Sequence, residues 1–297
     1  MADIDICICT FRREHIVTTL RSLVGLDVPA NHSVRVIVAD NDEVPSARDR
    51  VEAMGPEVPF PISYIHAPKA NISVARNACL EAATGRYTLF IDDDELVTPA
   101  WLKEMVTTAQ SSGADAVLGP VRALYPDGID TWIRDGDFHS TYPVIVGDEI
   151  LTGYTCNALL DRQSDKVKGL RFDLSRGKSG GEDTDFFTQI YRRGGTIAYA
   201  RDAWIEEPVP PARASFRWLR DRRFRSGQTH GRLIREGGLT RPIVVEQAIA
   251  AGKAGFSFAS AALTFWSRVK RRRNILRGAL HLGTISGLSG SKEISQY

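Results

Sequence analysis

An α/β fold with a mainly parallel sheet flanked by helices is predicted by three observations. Short apolar runs alternate with amphipathic segments from residue 3 to about residue 121, the runs end in polar or acidic loops, and Gly or Pro separates successive segments. Ile4 to Cys9 is β-branched and apolar enough for a buried strand, ended by Thr10-Phe11-Arg12-Arg13. Ile16, Val17, Leu20, Leu23 and Val24 then share one face at helical spacing, and Pro29 closes that helix. Val34 to Ala39 is a second strand running into Asp40-Asn41-Asp42, and Ile62 to Ile65 a weaker third. Asn71 or Ser73 offers an N-cap for a helix through Ala75, Ala78, Leu80 and Ala83 that Gly85 ends. Tyr87 to Ile91 is a fourth strand, stopping at Asp92-Asp93-Asp94-Glu95. Thr98-Pro99 is expected to cap the next helix, and Ala116 to Val121 to form one further strand. Past residue 122 the alternation weakens, with a strand over Leu151 to Leu160 and a helix over Thr184 to Arg193 opened by Glu182-Asp183.

Composition narrows the class. With 297 residues, 43% hydrophobic and 25% charged, the chain has the make-up of a soluble globular protein. A net charge of +2 argues against wholesale nucleic-acid binding, although Lys and Arg concentrate after residue 212. Cys7, Cys9, Cys79 and Cys156 show no CxxC pair and no nearby His cluster, so neither zinc nor a disulfide framework is indicated. They read as core residues in a reducing compartment. The N-terminus lacks the basic region and long apolar run of a secretory signal, which implies a cytoplasmic location.

The chemistry concentrates at strand ends, where open parallel sheets bind ligands. Three consecutive carboxylates at Asp92, Asp93 and Asp94 repel one another unless a cation or proton sits among them, and Mg²⁺ or Mn²⁺ suits oxygen ligands of this kind. Gly180-Gly181-Glu182-Asp183-Thr184-Asp185 is a second acidic cluster. Taken alone it divides evenly between helix capping and catalysis, because acids at a helix start are favoured by the dipole.

Five ordered motifs raise the specificity. Cys9-Thr10-Phe11-Arg12-Arg13, Ala39-Asp40-Asn41, Asn71-Ile72-Ser73-Val74-Ala75-Arg76-Asn77, Phe90-Ile91-Asp92-Asp93-Asp94-Glu95 and Gly181-Glu182-Asp183 resemble those of glycosyltransferase family 2, over about residues 3 to 235. Within that family the chain looks like the bacterial enzymes that build exopolysaccharide of the succinoglycan type on a lipid carrier. The resemblance implies a GT-A fold and an inverting, metal-dependent transfer from a nucleotide diphosphate sugar, usually UDP-linked, to an acceptor hydroxyl. It implies that Thr10 and Arg12 edge the nucleotide pocket, Asp40 accepts a hydrogen bond from the base, and Arg76 sits near the base or phosphates. Asp92 would touch ribose or metal, Asp93 is the ambiguous middle member, and Asp94 would bind the metal. Asp183 would be the general base, with Glu182 orienting the acceptor and Asp185 the next candidate. Such a reaction needs one carboxylate to take the acceptor's proton while positive charge stabilises the departing diphosphate.

Many relatives carry a His ligand after the last catalytic strand, where this chain has Trp204-Ile205-Glu206-Glu207-Pro208. Glu206, Glu207 or the distant His230 stand as substitutes. Ser215 to Arg225 reads as a basic amphipathic helix in which Trp218, Arg222 and Arg225 could meet an acceptor or its phosphate, against the default of a solvated basic face. The expected division is a GT-A catalytic domain over 1–237, whose nucleotide-binding region is 1–121 and whose acceptor region is 122–237, followed by a helical extension over 238–297. In that extension the uninterrupted apolar run from Ala254 to Trp266 is too short to span a bilayer, but beside Lys270-Arg271-Arg272-Arg273 it fits peripheral attachment to the cytoplasmic membrane face, against the plainer account of packing on the catalytic domain or on a partner subunit in a homo-oligomer.

Two other functions compete. A phosphatase of the haloacid-dehalogenase kind also places DxD after a strand, but needs Thr or Val where this chain has Leu96. A non-catalytic carbohydrate-binding protein is the contrasting class, since fold alone establishes no activity. A sugar-nucleotide-forming nucleotidyltransferase would need a Gly-rich loop after the first strand, and Thr10 to Glu14 contains no glycine.

Overall fold

The computed structural model describes residues 3–237 and 241–291. Twelve strands are seen among them: β1 (Ile4–Thr10), β2 (Val34–Asp40), β3 (Ile62–His66), β4 (Tyr87–Asp92), β5 (Leu96–Val97), β6 (Ala116–Leu118), β7 (Val121–Leu124), β8 (Ile145–Val146), β9 (Glu149–Ile150), β10 (Asn157–Asp161), β11 (Ile197–Tyr199) and β12 (Ile205–Pro208). The α-helices are α1 (Ile16–Ser22), α2 (Arg48–Ala53), α3 (Ile72–Ala82), α4 (Trp101–Ser112), α5 (Thr131–Gly136), α6 (Glu182–Arg192), α7 (Phe216–Glu236), α8 (Ile243–Leu263) and α9 (Arg268–Leu288).

Seven strands form one sheet in the order β11-β6-β10-β4-β1-β2-β3. All its pairings are parallel except those of β10, which runs antiparallel to β4 and β6. The central strand β1 is buried almost throughout because both faces of the sheet are covered, as expected of a parallel sheet. Its alternation sorts the core: Ile4, Ile6 and Ile8 pack on one face with Leu20 and Leu102, whereas Cys7 packs on the other with Ile37, Phe90 and Phe187. Cys7 and Cys79 are buried as anticipated, while Cys9 and Cys156 are half-buried. The buried exception on β1 is Asp5, which accepts from Arg35 Nε at 2.8 Å and from the backbone N–H groups of Thr84 and Gly85.

Three local expectations are corrected. The run from Ala116 to Val121 is two strands, because Gly119-Pro120 interrupts it and Asn157 Nδ2 donates to the Pro120 carbonyl. The strand expected over Leu151 to Leu160 begins only at Asn157. Thr98 does not cap α4, whose first residue is Trp101; its hydroxyl donates to the Trp204 carbonyl at 2.9 Å. Asn71 does cap α3, accepting from Ser73 N at 3.0 Å.

The chain divides into two compact units. A sheet unit comprises the described residues up to Ala123 with Ser140–Lys178 and Glu182–Pro208; a helical unit comprises Leu124–His139, Ser179–Gly181 and the described residues from Val209 onward. The expected boundary after residue 237 is thus displaced, and Gly238 itself lies outside the described residues. The displacement has a cause in glycine. A Cβ on Gly227 of α7 would lie 1.9 Å from the Leu280 carbonyl, one on Gly231 2.2 Å from that of Thr284, and ones on Gly283 and Gly287 of α9 2.0 and 2.1 Å from carbonyls of Phe224 and Gln228. Two glycines at i, i+4 on each helix let the backbones touch, so α7 belongs with α9. Trp132, Ile133 and Phe138 from the α5 region pack with Leu219 of α7 and Leu276 of α9 in the same unit.

Candidate active site

The site lies at the carboxyl ends of β1, β2 and β4. Register places Thr10 opposite Asp40 and Cys9 opposite Asp92, so the first two motifs and the aspartate triad emerge side by side. α1 fixes the triad's backbone, since Thr19 Oγ1 donates to the Asp93 carbonyl at 3.0 Å.

Each triad member has a distinct setting. Asp93 is turned inward: its carboxylate accepts from Thr10 Oγ1 at 2.7 Å and lies 3.4 Å from Arg13 Nη1. Burial pushes its carboxyl up to about 6 against the opposing pull of Arg13 and Thr10. Asp94 pairs with Arg13. Asp92 keeps 46% of its side chain exposed, and its carboxyl is pushed up by desolvation and by Asp94 while Arg76 pulls it down. Glu95 folds back to accept from Asp92 N at 2.6 Å. Its buried carboxyl is raised well above the usual carboxylate range by desolvation and then by Asp92.

Arg76 joins the two acidic clusters. Although it projects from α3, its side chain is only 9% exposed, so it is no surface helix arginine. The guanidinium pairs with Glu182 of α6 and lies 3.9 Å from Asp92, with Phe172 beneath it at 5.6 Å. Burial works against its charge, yet Glu182, Asp92 and Asp183 together more than offset that and hold it cationic. The charge of Asp183 is felt at both Arg76 and Asp92, which puts the two carboxylate groups in one electrostatic neighbourhood.

Asp183 accepts from Thr184 N at 2.6 Å and from its hydroxyl at 3.2 Å. Desolvation, then the negative charge of Glu182, pushes its carboxyl up to about 6. Glu182 is buried, and its Oε2 has no hydrogen-bond partner among the described residues. Asp185 points elsewhere: it lies 3.6 Å from Arg176 and accepts from Gln189.

The α3 motif positions this half of the site. Asn77 accepts from Phe172 N and donates to its carbonyl, Asn71 Nδ2 donates to the Leu174 carbonyl, and Ser73 Oγ to that of Asp173. The segment leading into α6 is therefore bound to α3, which explains the two asparagines flanking Arg76.

Two residues expected at the donor have protein partners in this structure. Asp40 is fully buried, and its carboxylate accepts from Asp42 N, Ala47 N and Tyr64 Oη, so it shapes the β2 loop. Arg12, expected beside the nucleotide, turns outward through a left-handed backbone (φ 55°) to pair with Asp42 at 2.9 Å, with 62% of its side chain exposed. Arg13 takes the place facing the triad. Sequence reasoning passes over Arg13 because nothing in two adjacent arginines signals which one a positive φ will turn away.

Of the substitutes for a further ligand, Glu207 is felt at Glu95 and Cys156, whereas Glu206 pairs with Arg122 at 3.4 Å. His230 has Lys253 and Glu246 as its charged neighbours. In the helical unit Trp218 stacks on His139 with 5.4 Å between centroids, and Arg222 lies 5.2 Å over the Trp218 ring; Arg225 follows on the next turn of α7.

Among the described residues no three His, Cys, Asp or Glu side chains converge as a complete metal cage. Mg²⁺ and Mn²⁺ in nucleotide sites use one or two carboxylates plus phosphates, however, and Asp92 and Asp94 supply hard oxygen donors whose mutual repulsion calls for positive charge. The residues present fit such an ion.

Comparison with known proteins bears on the family and the fold. The family described as Glycosyl transferase family 2 matches residues 5–167. The succinoglycan biosynthesis protein ExoM of Rhizobium meliloti (strain 1021) is 55% identical over 294 residues, covering 99% of this chain and 95% of that protein. An uncharacterized glycosyltransferase of Escherichia coli (strain K12), YibD, is 31% identical over only 71 residues, covering 24% of this chain and 21% of that protein. Among solved structures, the mannosyltransferase PcManGT from Pyrobaculum calidifontis, in complex with GDP-Man and Mn²⁺, superposes with a TM-score of 0.67 at 17% identity, covering 98% of this chain and 88% of that one. Residues 1–349 of S. aureus TarS, in complex with UDP-GlcNAc, give 0.55 at 17% identity, covering 97% and 92%. These two likenesses bear on the fold.

Proposed function

The chain belongs to glycosyltransferase family 2, and from that premise we propose that it transfers a sugar, with inversion, from a nucleotide diphosphate donor to an acceptor hydroxyl. The donor in this reading is UDP-linked and the acceptor a lipid-linked saccharide of exopolysaccharide assembly, in keeping with the succinoglycan role named for its 55% identical relative. The carrying observation is the Arg76 guanidinium between Asp92 and Glu182, which draws the triad and the start of α6 to one cation.

Asp183 is the base. With its carboxyl raised to about 6 it is still ionised near neutral pH, yet accepts a proton more readily than an ordinary Asp. Glu182, with Oε2 lacking a donor, orients the acceptor by taking a hydrogen bond from one of its hydroxyls. Thr10 holds Asp93 at the nucleotide edge, and Arg13 rather than Arg12 supplies the adjacent positive charge. A Mn²⁺ or Mg²⁺ held by Asp92 and Asp94 would neutralise charge on the diphosphate. Trp218, Arg222 and Arg225 are assigned to the acceptor or its phosphate. The location in this reading is cytoplasmic and peripheral to the inner membrane face.

Donor turnover tests the reading. UDP-sugar hydrolysis or transfer should require Mn²⁺ or Mg²⁺, vanish with chelator, and fall to background in Asp94→Ala, while the product anomer seen by NMR should be inverted. Turnover unaffected by chelator, or a retained anomer, would overturn it.

A further inference from the structure

α8 is an amphipathic helix turned inside out. The residues it buries are small, namely Ala250, Ala254, Ser257 and Ala261, at spacings of four, three and four. Its large apolar side chains face outward: Val245 is 42% exposed, Phe256 76% and Leu263 71%, followed just past the helix by Phe265 at 68% and Trp266 at 70%. Val245, Phe256 and Leu263 share one side of α8, with only Gly252 and Ala259 between them at helical spacing, so the apolar stripe is concentrated in the C-terminal half of the helix, where Phe265 and Trp266 continue it. A soluble surface leaves single hydrophobics exposed, whereas a stripe of this extent marks an interaction face.

A cationic cavity opens beside the stripe. It holds about 420 Å³ and is lined by Lys253, Phe256 and Ser257 of α8 and by Asn274, Arg277 and His281 of α9. Lys253 and Arg277 both act on His281 from the cavity wall, while the nearby Glu246 of α8 pairs with Arg241. Phe256 belongs to both features, so a single partner touching the stripe also meets the cavity. Exposed Arg268 and Lys270 extend the positive charge along the start of α9.

We infer that this face of the α8–α9 hairpin docks on an anionic lipid bilayer, with a headgroup phosphate in the Lys253–Arg277 cavity and Phe256, Leu263, Phe265 and Trp266 in the headgroup and acyl boundary. Charge complementarity selects this occupant. A second copy of the chain bound through the same face would bring two cationic surfaces together, a like-charge contact that opposes association. A bilayer rich in phosphate esters meets both the apolar stripe and the cations. Among the described residues no helix is long and apolar enough to cross a membrane, so the contact lies in the interface plane. The inference deepens the proposed function by naming the surface on which a lipid-linked acceptor would be met.

Vesicle flotation of the full chain provides the test. The protein should float with phosphatidylcholine vesicles containing phosphatidylglycerol and remain behind with phosphatidylcholine alone. Phe256→Glu with Trp266→Glu, and separately Lys253→Glu with Arg277→Glu, should each weaken binding roughly tenfold or more. All four side chains lie outside the proposed catalytic groups, so donor hydrolysis in free solution should match the unaltered enzyme. Failure to float with anionic vesicles, equal flotation with neutral ones, or flotation unchanged in both double variants would overturn the inference. So would light scattering that shows a dimer converted to monomer by the Phe256 and Trp266 changes. Flotation without any donor turnover would uphold the docking face and remove the catalytic reading instead.

Discussion

The sheet unit and the helical unit break the ordinary rule of burial in opposite directions. The first buries Asp40, Asp93, Glu95, Arg76 and Glu182, while the second exposes Phe256, Leu263, Phe265 and Trp266. Buried charges are costly unless paired, and exposed large hydrophobics gain nothing from water. The two departures coincide with the places that the proposed transfer and the proposed docking would use.

The largest expected effect breaks the sheet unit's side of the contrast. Asp183→Asn should lower turnover by about 100- to 10,000-fold while leaving donor affinity nearly unchanged, measured by transfer kinetics beside thermal shift with UDP. Near-full turnover would remove Asp183 from the reaction. Arg76→Met acts on stability instead. It strands the buried Glu182 and should cost about 3–5 kcal/mol in urea unfolding, most of it recovered when Glu182→Met is added. No recovery would mean that the pair is not the source of the loss.

Titration sharpens the same region. Because desolvation raises Asp183 to about 6, kcat/KM should fall about tenfold per unit as pH drops below that value, the protonated carboxyl being unable to accept the acceptor's proton. The stability contribution has the opposite sense. Folded Asp183 binds its proton more tightly than the unfolded residue does, so its share of stability is complete below pH 3.8 and is lost as pH rises through about 6. A rate profile flat between pH 5 and 7 would contradict the assignment.

The helical unit should respond to volume rather than charge. Gly227→Val forces a branched side chain against the Leu280 carbonyl and should cost about 1–3 kcal/mol, visible as a lower urea midpoint. The smallest effect is expected at Arg12→Ala, whose exposed pairing with Asp42 should be worth less than about 1 kcal/mol. Arg13→Ala, in contrast, should weaken donor binding, and equal phenotypes would erase the distinction between the two neighbours.

Legibility in the sequence follows locality. The acidic loop after Ile91 is readable because an apolar strand that ends in four acids is a local pattern, and the Asn71 cap is readable for the same reason. The fold follows from alternation, and the ordered motifs carry the family. Hidden from such a reading are contacts between distant positions and single dihedral choices. The ion pair of Arg76 with Glu182 spans 106 residues, and the outward turn of Arg12 depends on one positive φ. The resemblance alone assigns Asp40 to the base, and no local pattern shows that its carboxylate accepts from the Ala47 N–H of its own loop. The grouping of α7 with α9 requires knowing that four glycines meet, which no local pattern encodes.

The long-range closure of the aromatic cluster around Trp132 bears on biosynthesis. Arg273 reaches the Gly136 carbonyl across 137 residues of sequence, and Leu276 completes the packing of Trp132, Ile133 and Phe138. At ribosomal speeds of about 5–20 residues per second, the early segment waits roughly 7 to 27 s for that partner. A nascent chain stalled before α9 therefore presents an incompletely covered aromatic cluster, and chaperone occupancy should rise there during translation.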